Sequence, residues 1–104
     1  MTDAEKKTIL AGAKQYFARV KWDDLKVVEG IGPKIEELCH NIGIKTWKAL
    51  SEAKYDTLKK MLTDAGSRYQ MHDPKTWPLQ SGMAYKAEWK ELKEWQDSHS
   101  HGRA

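Results

Sequence analysis

The segment Gly30-Ile31-Gly32-Pro33-Lys34 combines residue types that can bind an anion. Its glycines allow a tight turn and a close approach to the backbone. Pro33 fits the first turn of a helix, where its missing N–H has no intrahelical partner to lose. The N–H groups around Gly30, Gly32 and Lys34 are then left at a helix N-terminus, and the Lys34 side chain adds a positive charge. We therefore expect an anion site at this turn.

Three aspartates, Asp23, Asp24 and Asp73, could instead be metal-binding carboxylates of a nuclease. Two-metal nucleases need several carboxylates that converge on ions ~4 Å apart. In this sequence Asp23 and Asp24 stand where a helix needs a cap, and Asp73 precedes Pro74 in a predicted turn. We therefore interpret them as capping and turn residues.

Other candidate reactive groups are isolated in the sequence. His99 and His101 have chelating spacing but no further ligand nearby, so we interpret them as part of a solvated tail. Cys39, the only cysteine, lies on the apolar face of a predicted helix and is interpreted as an inert core thiol. The sequence also has no nucleophile elbow, phosphate-binding loop or dinucleotide fingerprint. We predict no enzymatic activity, no cofactor and no metal.

The composition predicts one small globular domain. The 104 residues are 39% hydrophobic and include five tryptophans, which is enough for one modest core. No apolar run reaches the ~18–20 residues of a membrane helix, and the polar start of the chain lacks the apolar region of a secretory signal. We therefore expect no membrane association. Because a single cysteine cannot form an intramolecular disulfide, we also expect a cytoplasmic protein.

The positive charge is unevenly distributed along the chain. The formal net charge is +3. Residues 1–21 carry five basic residues against two acidic ones, whereas the rest of the chain is nearly balanced. This is a weak indication of a polyanionic partner, because dedicated nucleic-acid binders usually show a denser basic face.

The spacing of apolar residues predicts helices throughout, and no segment alternates as a strand would. Thr2 and Glu5 have the spacing of a capping box, and an apolar stripe follows from Ile9 to Val20. We predict an amphipathic helix over about residues 3–20 that packs on the domain. The same spacing predicts further helices at about residues 23–28, 33–42, 46–50, 54–65, from Thr76 onward and 86–97, with a loop at 67–75.

The tryptophans offer faces on which unpaired bases could stack. However, Trp47, Trp89 and Trp95 have the helical spacing of core residues, so we expect them to be buried. Trp77, next to Pro78, is interpreted as a lid over the core.

The segment Leu25–Cys39 (LKVVEGIGPKIEELC) resembles the helix-hairpin-helix motif of DNA repair and replication proteins, with its core pattern h-x-G-h-G-x-x-h. The segments Asn41–Leu50, Ala65–Tyr69, His72–Pro78 and Glu88–Asp97 are similar to the continuation found in small, poorly characterised bacterial helix-hairpin-helix proteins. The helical spacing predicts an all-α domain of five to seven helices, and the resemblance implies a compact, SAM-like bundle that contains this motif. The likeness covers residues 22–97 as a helix-hairpin-helix domain, which leaves the N-terminal amphipathic helix (1–21) and a flexible tail (98–104).

The resemblance also implies a function, because hairpin amides in that family hold a DNA phosphate without reading the base sequence. The implied phosphate contacts are Gly30, Ile31, Gly32 and Lys34, with secondary basic contacts from Lys26, Lys45 and Arg68. We therefore expect binding to duplex DNA without sequence preference. The alternative is a protein–protein adaptor in which the hairpin is purely structural. The sequence names neither a protein partner nor an oligomeric state.

Overall fold

The computed structural model of the chain describes residues 2–100, and within that range it contains helices and no strand. Seven α-helices are present there: α1 (Asp3–Ala13), α2 (Pro33–Asn41), α3 (Trp47–Ser51), α4 (Tyr55–Ala65), α5 (Ser67–Gln70), α6 (Trp77–Tyr85) and α7 (Trp89–Ser100). Two 3₁₀ helices, Leu25–Val27 and Pro74–Thr76, complete the bundle. The predicted all-α class is confirmed. None of the helices in this range has the length and apolar character needed to cross a membrane.

The first helix is shorter than its apolar stripe predicts. It begins with the expected capping box, in which the Glu5 amide donates to Thr2 Oγ1 and the Thr2 amide donates to Glu5 Oε1. It ends at Ala13, so the prediction of a helix to about residue 20 is wrong beyond that point. The chain turns there and brings the Phe17 ring edge-on to Trp89, with ring centroids 6.2 Å apart. The stripe is therefore completed by an irregular segment.

A cluster of aromatic rings forms the centre of the single core. The Trp47 ring lies 5.2 Å from Trp22 and 5.4 Å from Trp89, measured between centroids. Ile35, Leu58 and Leu62, which lie on the apolar faces of α2 and α4, are buried in the same core. Leu38 is only partly buried against it. The core predicted from helical spacing therefore exists largely as expected.

Polar contacts of Trp47 join α3 to two other parts of the chain. Its indole N–H donates to Asp24 O at 2.9 Å, and its backbone oxygen accepts from Ser81 Oγ on α6 at 2.6 Å. Its amide donates to Asp23 Oδ1 at 3.0 Å. Asp23 has a left-handed backbone with φ 58°, which this contact helps to hold. The start of the Leu25–Val27 helix is thereby fixed to α3 and α6.

Asp24 and Asp73 cap the two 3₁₀ helices, whereas Asp23 does not cap the helix that follows it and binds the α3 backbone instead. Asp23 accepts from the first residue of α3, as described above. Asp24 accepts from the Lys26 amide at 3.1 Å, and Asp73 accepts from the Lys75 amide at 3.0 Å. Within residues 2–100, no three His, Cys, Asp or Glu side chains form a group that could hold a metal ion.

The second half of the chain is more helical than predicted. The predicted loop at 67–75 contains α5 and the start of the 3₁₀ helix Pro74–Thr76. At the C-terminus, residues 98–100 continue α7, although the tail is predicted to start at residue 98. Residues 101–104, and with them the predicted chelating residue His101, lie outside the described range.

Replacing Trp89 tests the core. Its side chain is 4% exposed, and its buried indole N–H, next to Gly12 of α1, has no hydrogen-bond partner among residues 2–100. We expect Trp89→Ala to lower the free energy of unfolding by about 3–5 kcal/mol, the usual range for a buried large aromatic residue. Trp89→Phe should cost less, because it also removes the unpaired N–H. Urea unfolding measures both; a loss below about 1 kcal/mol for Trp89→Ala would show that this site is not part of the core.

Candidate nucleic-acid interface

The hairpin consists of the 3₁₀ helix Leu25–Val27, a turn over residues 28–32 and α2. Gly30 has φ +105°, a conformation that L side chains rarely adopt, which explains the first glycine of the motif. Ile31 is 5% exposed and fills the gap between the two helices, as expected. Its amide donates to Val28 O at 3.1 Å and closes the turn.

The two glycines of the motif have different roles. A Cβ atom added to Gly30 would lie 2.8 Å from Nε1 of Trp77, which is closer than real Cβ contacts allow. Gly32 caps α2 with φ −97° and ψ −175°, an extended conformation open to any residue. A Cβ atom added to Gly32 would meet nothing within 4 Å. Gly30 therefore satisfies a packing constraint, whereas Gly32 leaves open space before the helix.

Two buried glutamines hold the hairpin from behind, and sequence reasoning missed both. Gln80 Oε1 on α6 accepts from the Glu29 amide at 2.8 Å, and Gln80 Nε2 donates to Glu29 O at 3.3 Å. Gln96 Nε2 on α7 donates to Val27 O and to Gln80 Oε1, each at 2.9 Å. No spacing rule identifies them, because their partners lie 51 and 69 residues away along the chain.

The front of the hairpin presents unused backbone donors. Within the described part of the chain, no atom accepts from the amides of Gly30, Gly32 or Lys34. The Ile31 amide is engaged within the turn, so its predicted phosphate contact has no free N–H to make it. Gly32 and Lys34 flank the start of α2, where the helix dipole favours an anion. The geometry therefore keeps three of the four predicted contact residues available.

The charged side chains of the hairpin are partly committed to each other. Lys26 Nζ lies 3.1 Å from Asp24 Oδ1 and 3.4 Å from Glu36 Oε1, and the hydrogen bond to Asp24 is the main cause that raises the pKa of Lys26. Glu36 also accepts from the Leu25 amide at 3.0 Å, so its carboxylate stabilises the first helix of the hairpin. Lys34 is 67% exposed and only 4.0 Å from Glu37, a weak surface pair. Lys34 is therefore the more available of the two predicted basic contacts on the hairpin.

The other predicted basic contacts lie away from the hairpin turn. Lys45 follows the C-terminal end of α2, whereas Lys34 lies in its first turn. A helix of nine residues is about 13 Å long, so these two lysines are at opposite ends of it. Arg68 is on α5, which packs against α4. The structure therefore does not gather Lys34, Lys45 and Arg68 beside one turn.

A basic groove beside the hairpin was not identified as a site from the sequence. It consists of two adjoining depressions that share residues 18–20 and Lys26, and one of them reaches the hairpin at Val27 and Glu29. The basic residues that line it are Lys14, Arg19, Lys21, Lys26 and Lys93. Lys93 pairs with Asp97 at 3.0 Å, whereas Lys14, Arg19 and Lys21 have no ion pair in the described range. The charge excess of residues 1–21 was the signal for this groove.

Cys39 is placed as the sequence interpretation requires. Its side chain is completely buried, and burial, assisted by the charge of Glu36, raises the pKa of the thiol to about 11. The thiol therefore stays protonated near neutral pH and is a poor nucleophile.

Residues 25–84, more than half of the chain, match the family model described as the RS2/RL21/YNQ2 HHH domain, where HHH denotes helix-hairpin-helix. The chain belongs to this family. Its hairpin, α3, α4, α5 and nearly all of α6 lie within the match, whereas α1 and α7 lie outside it. No curated protein and no solved structure matches the chain.

The predicted resemblance to helix-hairpin-helix domains is thereby confirmed. Domains of this family are associated in general with nucleic-acid or ribosomal-protein contexts, and at that level with nucleic-acid or protein interactions. Three features of the hairpin lie inside the matched range: the Gly30–Trp77 contact, the Gly32 cap and the hydrogen bonds from Gln80 to Glu29. Gln96 and most of the basic groove lie outside it.

Replacing each glycine in turn with alanine tests whether Gly30 is required for packing and Gly32 is not. We expect Gly30→Ala to lower the free energy of unfolding by about 2–4 kcal/mol, because left-handed strain and overpacking against Trp77 each cost about 1–3 kcal/mol. Gly32→Ala is the matched control and should cost at most about 1 kcal/mol, because no overpacking occurs there and only the poorer N-cap preference of alanine is lost. Urea unfolding of both variants measures this difference, and equal effects would contradict the distinction.

Proposed function

We propose that this helix-hairpin-helix domain binds nucleic acid, with duplex DNA as the ligand. It contacts the phosphates of the nucleic-acid backbone and does not read the base sequence. The observation that supports this most is the open start of α2, where the Gly32 and Lys34 amides have no acceptor within the described chain. A phosphate oxygen placed there accepts from both amides and meets the positive end of the helix dipole. The absence of a Gly32 side chain leaves room for this approach.

The basic groove supplies the electrostatic attraction that one hairpin lacks. Lys14, Arg19 and Lys21 are exposed and line a surface that reaches the hairpin at Val27. A phosphate chain lying along this surface is neutralised at several points in addition to the hairpin amides. We expect a dissociation constant in the range of non-specific binding, ~10⁻⁴–10⁻⁶ M at physiological salt, that weakens as the salt concentration rises.

We also propose that the protein only binds its partner, without catalysis, in the bacterial cytoplasm. The candidate nucleophile Cys39 is buried, and the aspartates that could have served a nuclease accept from backbone amides. The lone cysteine favours a reducing compartment. The bacterial assignment rests on the resemblance to small bacterial helix-hairpin-helix proteins.

The alternative remains an adaptor that docks on another protein. The exposed large apolar side chains are Tyr16, Ile42, Tyr55, Met71, Leu79 and Tyr85. They come from five separate segments, and no helix presents more than two of them. Single exposed apolar residues are ordinary on a protein surface, so these side chains by themselves do not favour the adaptor over nucleic-acid binding.

Charge reversal at two equivalent lysines tests the proposal. Lys34 and Lys48 are both exposed, and each is the second residue of its helix, where an acidic side chain is tolerated electrostatically. We expect Lys34→Glu to weaken binding to a labelled duplex by about tenfold or more at low salt, the effect of losing one charge-assisted contact. Lys48→Glu has the same net charge and should change the affinity much less.

Fluorescence anisotropy at several salt concentrations gives both the affinity and its salt dependence. Loss of one phosphate contact should reduce the slope of log K against log salt by about 1 for Lys34→Glu. Thermal unfolding of both variants confirms that each is folded. If wild type and Lys34→Glu bind the duplex equally, or if neither binds, the hairpin is structural and the adaptor function should replace this proposal.

A further inference from the structure

A second groove lies on the hairpin, distinct from the basic groove. It has a volume of about 500 Å³, within the range of small-molecule sites. The hairpin turn forms one side, and the loop after α5, the start of α6 and the outer part of α7 form the rest. We call it the hairpin groove; its lining includes Gly30, Met71, His72, Trp77, Trp95 and His99.

An unpaired hydrogen-bond donor faces this groove. Trp77 is 2% exposed, and its indole N–H has no acceptor in the described part of the chain. Nε1 lies directly against Gly30, so the donor is at the wall that the turn forms. It is not sealed in the core as the N–H of Trp89 is, and the N–H of Trp47 has its own acceptor. Because it lies at the groove without a protein acceptor, this N–H can donate to an acceptor that a ligand supplies.

Aromatic and thioether side chains on the opposite side suit a flat ligand. Trp95 is only half-buried, which contradicts the prediction that it is a core residue, because its position on α7 faces the groove. The His99 ring stacks on it with centroids 4.2 Å apart and planes 11° apart. His99 Nδ1 lies 2.8 Å from Trp95 O, which fixes this pair when that nitrogen carries the proton. Met71 is 90% exposed at the rim.

The charges of the groove favour a neutral ligand that carries both donors and acceptors. Two acidic residues, Glu29 and Asp73, line the groove, and the Asp73 carboxylate has lone pairs beyond the one used by the Lys75 amide. A phosphate would be repelled by this carboxylate, whereas the exocyclic amino group of a base can donate to it. The Trp77 N–H can donate to a ring nitrogen or carbonyl oxygen of the same base. A nucleobase therefore matches the polar groups as well as the stacking faces.

The hairpin groove lies close to the start of α2, where the proposed phosphate site is. Gly30 lines the groove and Gly32 caps α2, so the two sites are separated by two residues of chain, at most about 7 Å. This separation is comparable with the distance between the phosphate and the base of one nucleotide. A base inside a duplex is stacked and paired and cannot enter such a groove. The occupant must therefore come from a single strand or an unpaired position.

We propose that the hairpin groove binds one unpaired nucleobase of a nucleic acid strand whose adjacent phosphate is held at the start of α2. This inference rests on the phosphate contact of the proposed function and adds a preference for unpaired nucleotides. Trp95 supplies the stacking face, and the Trp77 N–H supplies the polar contact to the base edge.

The test compares four labelled oligonucleotides of equal length by anisotropy: single-stranded DNA, single-stranded RNA, the DNA duplex and an abasic DNA strand. The wild-type protein should bind the base-containing single strands more tightly than the abasic strand and the duplex. The order of the DNA and RNA strands identifies the preferred source of the base. Trp95→Ala should weaken single-strand binding roughly 5- to 150-fold, the effect of losing one base–aromatic stack, and leave abasic binding unchanged.

The matched control is Tyr85→Ala, which removes an aromatic ring that does not line the groove; Tyr85 is 51% exposed, more than the partly buried Trp95. A second readout follows the indole N–H resonance of Trp77 by NMR, identified by its loss in Trp77→Phe. The base-containing strand should shift this resonance, and the abasic strand should not. This measurement uses folded wild-type protein and so stays informative if a variant fails to fold.

The two proposals fail in different ways. Equal, salt-dependent binding of all four probes would overturn the base site and leave the phosphate site in place. Tighter single-strand binding that is unaffected by Trp95→Ala, with no shift at Trp77, would also overturn it, because the bases would then bind elsewhere. Absence of binding to every probe at low salt would overturn the proposed function and this inference together.

Discussion

The contact between the turn at Gly30 and the indole of Trp77 is the constraint on which the hairpin depends. The first side of the motif is a 3₁₀ helix of three residues, which would not hold α2 in place by itself. Trp77 packs against the turn where only a glycine fits, and Gln80, one helical turn later, binds both the N–H and the C=O of Glu29. The start of α2 is thereby fixed by α6, so its free amides need no reorganisation to meet a ligand.

The same arrangement gives the two sides of the hairpin different chemistry. On one side, α1 ends at Ala13, and the irregular residues 14–21 that follow it bring unpaired basic side chains beside Lys26. On the other side, Trp77 and Trp95 enclose a groove with two acidic residues, Glu29 and Asp73, and little positive charge. The Gln80–Gln96 hydrogen bond lies between them, since each glutamine lines one of the two grooves. A strand held at the helix start would thus meet charge on one side and aromatic faces on the other.

Much of the fold was predictable because it depends on local patterns. The capping box at Thr2, the Gly30–Gly32 motif and the helical spacing of Trp47 and Trp89 act over a few residues. The glutamine bridge, the half-exposure of Trp95 and the end of α1 at Ala13 depend on contacts between distant segments, which no local pattern encodes. The candidate phosphate site was predictable as a motif, but the engagement of the Ile31 amide and of Lys26 required the geometry.

The most direct test of the central claim, that free amides at the start of α2 hold a phosphate, is the substitution Gly32→Asp. The extended backbone of Gly32 allows a capping side chain, as at Thr46, whose hydroxyl accepts from the Ala49 amide at 2.9 Å. An aspartate there would accept from the Lys34 or Ile35 amide in the first turn of α2 and would place a negative charge where the phosphate binds, without destabilising the helix. We predict an unchanged or higher melting temperature together with at least about tenfold weaker binding of a labelled duplex, against Gly32→Ala as control. Unchanged binding by a folded Gly32→Asp variant would contradict the account.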